Sequence, residues 1–230
     1  MAAPAGVTAS PASTGPARVR VFVDFWNFQL NIKRHLAPPP APGAAAVNVP
    51  VDWRALGPWF ATEASKLAAA VGNGHGTRFE GMTIYLSYDP RSQKDKGLKN
   101  WALNTLDRFP GVQVVVAERK PKYPPACPTC HVSVAKCPAC SASMAGTVEK
   151  GVDTAIVTDM IRMAWADSYD LAVLVSSDRD FIPAVEFLDG KGHKVVQAGF
   201  PPLGSELARA CWASFDILKA GLPMRLVPAP

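Results

Sequence analysis

The chain predicts a three-layer α/β fold in which a mainly parallel central sheet is covered by helices on both faces. Three observations carry this expectation. β-branched and aromatic runs alternate with segments of helical spacing along the 230 residues, the signature of repeated strand–helix–strand crossovers. Leu171 to Ser176 (Leu-Ala-Val-Leu-Val-Ser) is continuously apolar until its last residue, as a strand buried on both faces requires. A chain of 230 residues, 48% hydrophobic, can bury one substantial core but is short for two ordinary domains with linkers.

In chain order, Arg18 to Phe25 (Arg-Val-Arg-Val-Phe-Val-Asp-Phe) reads as the first, central strand, with Asp24 near its end. Phe28 to Leu36 predicts a short helix, stopped by Pro38-Pro39-Pro40, and the Ala/Pro/Gly stretch to Pro50 reads as a mobile loop. Asp52 is placed to cap a helix reaching about Val71, interrupted or kinked at Gly57-Pro58. Phe79 to Tyr88 is a second strand, Lys94 to Phe109 a helix, and Val112 to Glu118 a third strand. A cysteine-rich stretch, Pro121 to Ser143, then interrupts the alternation, and helical spacing resumes at Val152. Beyond the apolar strand come a helical segment Arg179 to Leu188, a fifth strand Lys194 to Ala198, a short helix Ser205 to Cys211 and a last strand Phe215 to Leu218. No internal repeat is evident.

The expected organisation is a disordered tail over 1–17, a catalytic domain over 18–220 with an insertion at 121–145, and a C-terminal tail over 221–230. No apolar run approaches the roughly 20 residues that span a bilayer. Met1 to Ala17 has neither the basic start nor the apolar stretch of a secretory signal, which predicts a cytoplasmic protein without membrane contact.

The net charge of +5 and pI near 9.0 are compatible with a polyanionic partner. Basic residues concentrate at Arg91, Lys94, Lys96 and Lys99 and again at Arg119, Lys120, Lys122 and Lys136, whereas Asp153, Asp159, Asp178 and Asp180 recur later. An acidic pocket framed by positive ground suits a metal site acting on a phosphate backbone, although any single lysine is equally well explained as a solvated surface charge.

In an open α/β sheet, ligands bind beyond the carboxyl ends of the strands, near the point where strand order reverses. Asp24 and the segment Ser176-Ser177-Asp178-Arg179-Asp180 both sit where strands should end, and Asp153 opens the helix after Lys150-Gly151-Val152. Asp159 shares a helical stripe with Val152, Ala155, Ile156 and Met163, so it should face inward. Each of these aspartates could simply cap a helix. Together they repel by about 4 kcal/mol per pair at 4 Å and an effective dielectric of 20, so their assembly calls for protonation or a cation. Hard oxygen ligands select Mg²⁺ or Mn²⁺.

Cys127-Pro128-Thr129-Cys130 and Cys137-Pro138-Ala139-Cys140 form two Cys-x-x-Cys pairs in a chain with one other cysteine, Cys211. Four thiolates so spaced suit a structural Zn²⁺ site, an iron centre being the alternative. Because the insertion leaves the third strand at its carboxyl end and returns to Asp153, it should stand beside the acidic cluster. Lys120, Lys122, Tyr123, His131 and Lys136 could there contact phosphates and stack a base, or the module could act only as a staple.

Val23-Asp24-Phe25-Trp26-Asn27, Lys150-Gly151-Val152-Asp153, Asp159-Met160 and Val175-Ser176-Ser177-Asp178-Arg179-Asp180-Phe181, in that order, resemble the motif blocks of NYN domains. The resemblance runs from Val19 to Leu218 apart from the cysteine insertion and the Pro-rich loop. It implies a PIN-like (Rossmannoid) fold and metal-dependent hydrolysis of RNA to 5′-phosphate and 3′-hydroxyl ends. Asp24, Asp153 and Asp178 would be the main Mg²⁺ or Mn²⁺ ligands, with Asp180 completing or supporting the set. Asn27 would orient a carboxylate or touch substrate, and Asp159 and Ser176 would support the ligands from behind. Lys94, Lys96, Lys99, Lys120, Lys122, Lys136 and Lys150 would bind single-stranded or structured RNA. Ser177 stands where many relatives have glycine. Two other readings are an RNA-binding or regulatory adaptor without turnover and a Mg²⁺-dependent phosphatase of small esters; a homo-oligomer also stays open.

Overall fold

The computed structural model describes residues 15–36, 49–71 and 76–224. The expected N-terminal tail (save its last residues), most of the Pro-rich loop and most of the C-terminal tail lie outside them. The elements are β1 (Ala17–Asp24), α1 (Phe25–Leu36), α2 (Trp53–Ala70), β2 (Thr77–Tyr88), α3 (Gln93–Asn104), β3 (Val112–Glu118), β4 (Lys120–Lys122), β5 (Gly146–Val148), α4 (Val152–Trp165), β6 (Leu171–Val175), α5 (Ile182–Asp189), β7 (Lys194–Gly199), α6 (Ser205–Ala210) and β8 (Ala213–Asp216). Six strands form one sheet in the order β3-β2-β1-β6-β7-β8, with every neighbouring pair parallel. Strand order therefore reverses between β1 and β6, which places a crevice at their carboxyl ends.

The period of two along β1 assigns its residues to the two layers. Val19, Val21 and Val23 pack with Phe28, Ile32, Leu56 and Phe60 of α1 and α2. Phe22 faces the opposite way, against Ile156, Met160 and Leu188 of α4 and α5. A strand with both faces covered must be apolar almost throughout, as β6 is, whereas β1 carries Arg18 and Arg20 in its partly exposed first half and is buried from Val21 onward. Asp24 lies two residues beyond Phe22 and so points toward the α4 side.

Several boundaries differ from expectation for identifiable reasons. Helix α1 begins at Phe25, directly after the strand, because Asp24 accepts the Asn27 N–H and so serves the new helix's first turn. Asp52 caps α2 as expected, accepting from Arg54 and Ala55 N–H. The helix runs on through Pro58, near its start, where only the bond to the Arg54 carbonyl is forfeited. Gly57 is explained by packing: a Cβ there would stand 2.6 Å from the Phe79 ring. The segment expected as one helix to Phe109 ends at Asn104, followed by a 3-10 turn Leu106–Arg108. That turn carries Asp107, which accepts the Val114 N–H at 2.7 Å on edge strand β3. The last strand pairs two residues earlier than expected, Ala213–Asp216.

The cysteine module stands on an antiparallel stem, β4 with β5. Contrary to the sequence reading, it holds an internal repeat of ten residues. His131 N–H donates to Cys127 O and Ser141 N–H to Cys137 O. His131 and Ser141 are both left-handed at φ 59°, and matching bridges join Ala126 to Ser133 and Lys136 to Ser143. No described helix is long and apolar enough to cross a membrane.

At the opposite edge of the sheet, Arg18 of β1 donates to Asp167 at 2.7 Å and to Asp170 at 2.7 and 3.0 Å. Asp170 also accepts the Arg18 backbone N–H, tying β1 to the start of β6. The guanidinium holds the Asp170 carboxyl below its ordinary range, so its contribution is present above pH 3.8 and lost as pH falls through the lowered value. Asp170→Asn should lower the melting temperature at pH 7 by roughly 2–4 °C, for a part-exposed pair worth about 1 kcal/mol. In calorimetry the difference from the parent should shrink as pH falls below 3.8 and close once Asp170 is protonated in both states.

Candidate active site at the carboxyl edge of the sheet

Asp24 ends the central strand with only 6% of its surface exposed. One carboxylate oxygen accepts the Asn27 N–H at 3.1 Å and the other the Ser176 hydroxyl at 3.2 Å. Ser176 Oγ in turn accepts the Asp178 N–H at 3.2 Å, and Asp178 accepts the Asp180 N–H at 3.0 Å. The Asn27 side-chain oxygen accepts the Ser177 N–H at 3.0 Å and Asn31 Nδ2 at 2.9 Å. The chain after β1 is thus stitched to the chain after β6, and Asn27 orients Asp24 through its backbone while holding the β6 loop through its side chain.

A second layer of contacts supports that loop. Gln197 of β7 donates to the Ser176 carbonyl at 3.0 Å and to the Gly204 carbonyl at 3.2 Å. Gly204 is left-handed at φ +73°, and a Cβ there would lie 2.7 Å from Ser177 Cα. Only glycine meets both conditions. An open cleft of about 370 Å³ lies against Asn27, Ser177, Asp178 and Arg179, bounded on its far side by Gly204 to Glu206.

Burial pushes the Asp24 carboxyl up from 3.8 to about 6, against the lowering effect of the Asn27 N–H, and the negative charges of Glu149 and Asp153 add to the rise. Asp153 is raised as well, by burial and then by Asp178, Glu149 and Asp180. The structure therefore brings together the four aspartates singled out in the sequence, and adds Glu149. That glutamate is the residue immediately before Lys150-Gly151-Val152-Asp153 and was not among the residues singled out in the sequence. Ser87, fully buried at the end of β2, donates its hydroxyl to Glu149.

Asp159 goes elsewhere. It accepts the Tyr85 hydroxyl at 2.8 Å and pairs with Arg162 at 2.9 Å, so it anchors α4 to β2 and makes no hydrogen bond to the acidic cluster. Tyr85 is the residue opposite Asp24 in the β1–β2 register. Of the lysines, Lys94, Lys96, Lys120, Lys122, Lys136 and Lys150 are exposed, whereas Lys99 lies over the Tyr88 ring at 4.6 Å and donates to its hydroxyl.

Among the described residues, no three His, Cys, Asp or Glu side chains converge on one ion position. The donor chemistry nonetheless fits a hard divalent cation, since the candidate residues are all carboxylates and the carboxyls of Asp24 and Asp153 are raised by burial and by neighbouring negative charge. In the cysteine module, turn N–H groups of Cys130 and Thr129 lower the Cys127 thiol, and those of Cys140 and Ala139 lower Cys137. Thiols so biased toward thiolate suit a soft or borderline metal.

A folded-state pKa above the unfolded value means that metal-free stability declines as pH rises from 3.8 to about 6 and stays reduced above it. Asp24→Asn removes the buried charge and keeps an oxygen for the Asn27 N–H, while its NH2 can donate to Ser176 Oγ in place of accepting from it. In chelator at pH 7.5 the variant should be more stable than the parent by up to about 3 kcal/mol, an advantage that vanishes below pH 4. Urea melts across this range measure it, and a variant less stable at every pH would contradict the account.

The NYN domain model matches residues 18–218, from the start of β1 to beyond β8. A solved protein of unknown function from Vibrio parahaemolyticus is 17% identical with a TM-score of 0.51, covering 90% of this chain and 97% of that chain, a likeness of fold. A search of curated proteins finds no match. NYN domains are generally ribonucleases. By the span of that match and by its PIN-like parallel sheet, this chain belongs to the NYN domain family.

Proposed function

We propose that this protein is a divalent-metal-dependent ribonuclease that hydrolyses RNA phosphodiester bonds. The observation that carries the reading is the gathering of Asp24, Glu149, Asp153, Asp178 and Asp180 at the switch point of the sheet, in a chain whose net charge is +5. Mutual repulsion of this kind costs stability unless a cation or a proton relieves it. Asp24, Asp153, Asp178 and Asp180 would hold Mg²⁺ or Mn²⁺, with Glu149 beside them. When bound, such an ion activates water at neutral pH and stabilises the leaving oxygen.

The chain's own residues supply position. Asn27 and Ser176 fix the Asp24 carboxylate from two directions, so the ligand is pre-set and little ordering remains on metal binding. The Asp178 carboxylate is aimed by the Asp180 N–H. The cleft beside Asn27 and Arg179 leaves room for a nucleotide flanking the cleaved bond. Lys120 and Lys122 on β4, Lys136 in the module, and Lys94, Lys96, Lys99 and Lys150 give backbone contacts that position RNA without reading its sequence. Cys127, Cys130, Cys137 and Cys140 would hold structural Zn²⁺.

Purified protein given labelled single-stranded RNA should cleave it with Mn²⁺ or Mg²⁺ and not with chelator. Asp24→Asn and Asp178→Asn should each reduce the rate at least 100-fold while the fold, followed by circular dichroism, is kept. RNA binding without cleavage in the parent would leave an adaptor instead, and cleavage of a small chromogenic ester in preference to RNA would point to a phosphatase.

One Zn²⁺ per chain should copurify, measured by elemental analysis, and Cys137→Ser should release it. Iron, or no metal, in the parent would overturn the zinc assignment.

A further inference from the structure

Arg119 continues the chain directly after β3, and its backbone N–H donates to the Tyr88 carbonyl at 2.9 Å, at the carboxyl end of β2. Its guanidinium lies over the Trp26 ring, 5.0 Å from the centroid. Its Nε donates to Ser87 Oγ at 3.0 Å. The same serine donates to Glu149, and its carbonyl accepts Trp26 Nε1 at 2.8 Å. Trp26 is two residues past Asp24. The cation is thus one hydroxyl away from the acidic cluster.

At that distance an arginine would ordinarily form a bidentate pair with a carboxylate. Arg119 forms none: among the described residues its Nη1 and Nη2 make no hydrogen bond and no ion pair. The indole face and the Nε bond hold the guanidinium plane in place, so the two terminal amines remain directed away from the groups that fix it. A planar fork, ordered in advance and left without a partner, matches the two non-bridging oxygens of a phosphodiester.

We propose that Arg119 receives the RNA backbone on the β2–β3 side of the site, gripping the phosphate that flanks the cleaved one. This rests on the ribonuclease reading above. The Ser87 hydroxyl stands between Arg119 and Glu149, so the phosphate it holds lies beside the carboxylates rather than among them. Arg119 is therefore a substrate-positioning residue, which acts on RNA binding and KM more than on kcat.

Two measurements test this. In the Asp178→Asn background, anisotropy with a labelled single-stranded RNA should show Arg119→Ala binding about tenfold more weakly, with a log–log salt slope smaller by about 0.7 for one lost phosphate contact. In the otherwise native chain, Arg119→Ala should raise KM about tenfold and leave kcat within about threefold. Arg119→Lys, which keeps the charge but not the fork, should recover only part of the loss. If Arg119→Ala lowers the melting temperature, Arg119→Met, which keeps the aliphatic stem over Trp26, takes its place. Binding and KM within twofold of the parent, or a fall in kcat alone, overturns the assignment. A parent that cleaves nothing while Arg119→Ala still weakens RNA binding overturns the hydrolytic reading and leaves Arg119 in its role.

Discussion

Asp24 ends a strand that is buried from Val21 onward, and a carboxylate in that position must be compensated or protonated. Its two oxygens are met by the Asn27 N–H and the Ser176 hydroxyl, which come from the two chain segments that diverge at the reversal of strand order. Satisfying one buried carboxylate therefore also sets the separation of the β1 and β6 loops. Asn27 and Ser177, Ser176 and Asp178, Gln197 and Ser176 extend the same constraint outward across the carboxyl edge. The compensation is incomplete, since burial and neighbouring charge still lift the Asp24 carboxyl to about 6. Under the proposed function, that residual cost is what a bound cation would relieve.

The cysteine module belongs to this arrangement and is more than a decoration of the sheet. Its stem leaves β3 past Arg119 and returns through β5 to Glu149, two residues that meet through the Ser87 hydroxyl. Arg91, reaching the Gly146 carbonyl at 3.1 Å, and Thr147, donating to Asp89 at 3.3 Å, fasten the stem to the loop after β2. The two ten-residue turns beyond the stem repeat the same backbone, including a left-handed residue at His131 and Ser141. Neither is glycine, so both turns carry the strain of a side chain at positive φ, and the module has little apolar surface of its own to offset it.

Much of the fold was legible because it rests on local periodicity. Alternation in β1, the unbroken apolar run of β6, Asp52 before α2 and the paired Cys-x-x-Cys spacing each lie within a short stretch of chain. Strand ends follow from such patterns, and with them the places where Asp24, Asp153, Asp178 and Asp180 would meet. The ten-residue repeat is present in the sequence, where Cys127, Pro128, Cys130, Ser133 and Ala135 recur as Cys137, Pro138, Cys140, Ser143 and Ala145, but only the shared backbone makes it plain.

What the tertiary structure alone decided depends on contacts between segments far apart in the chain. Glu149 gains its place from Ser87, 62 residues earlier, and Arg119 from Trp26 and Ser87. Asp159 was recognisable as inward-facing, but its partner, Tyr85, is 74 residues away. The shift of the last strand to Ala213–Asp216 was set by pairing with β7, where hydrogen-bond register outweighs the apolar pattern of Phe215 to Leu218. The amino-acid sequence by itself determined the six strands of the main sheet and which carboxylates stand at the ends of β1 and β6, because side-chain periodicity is a property of neighbours. Which cation, hydroxyl and amide each carboxylate meets was decided by the order of strands in the sheet, because only that order brings distant residues within hydrogen-bonding reach.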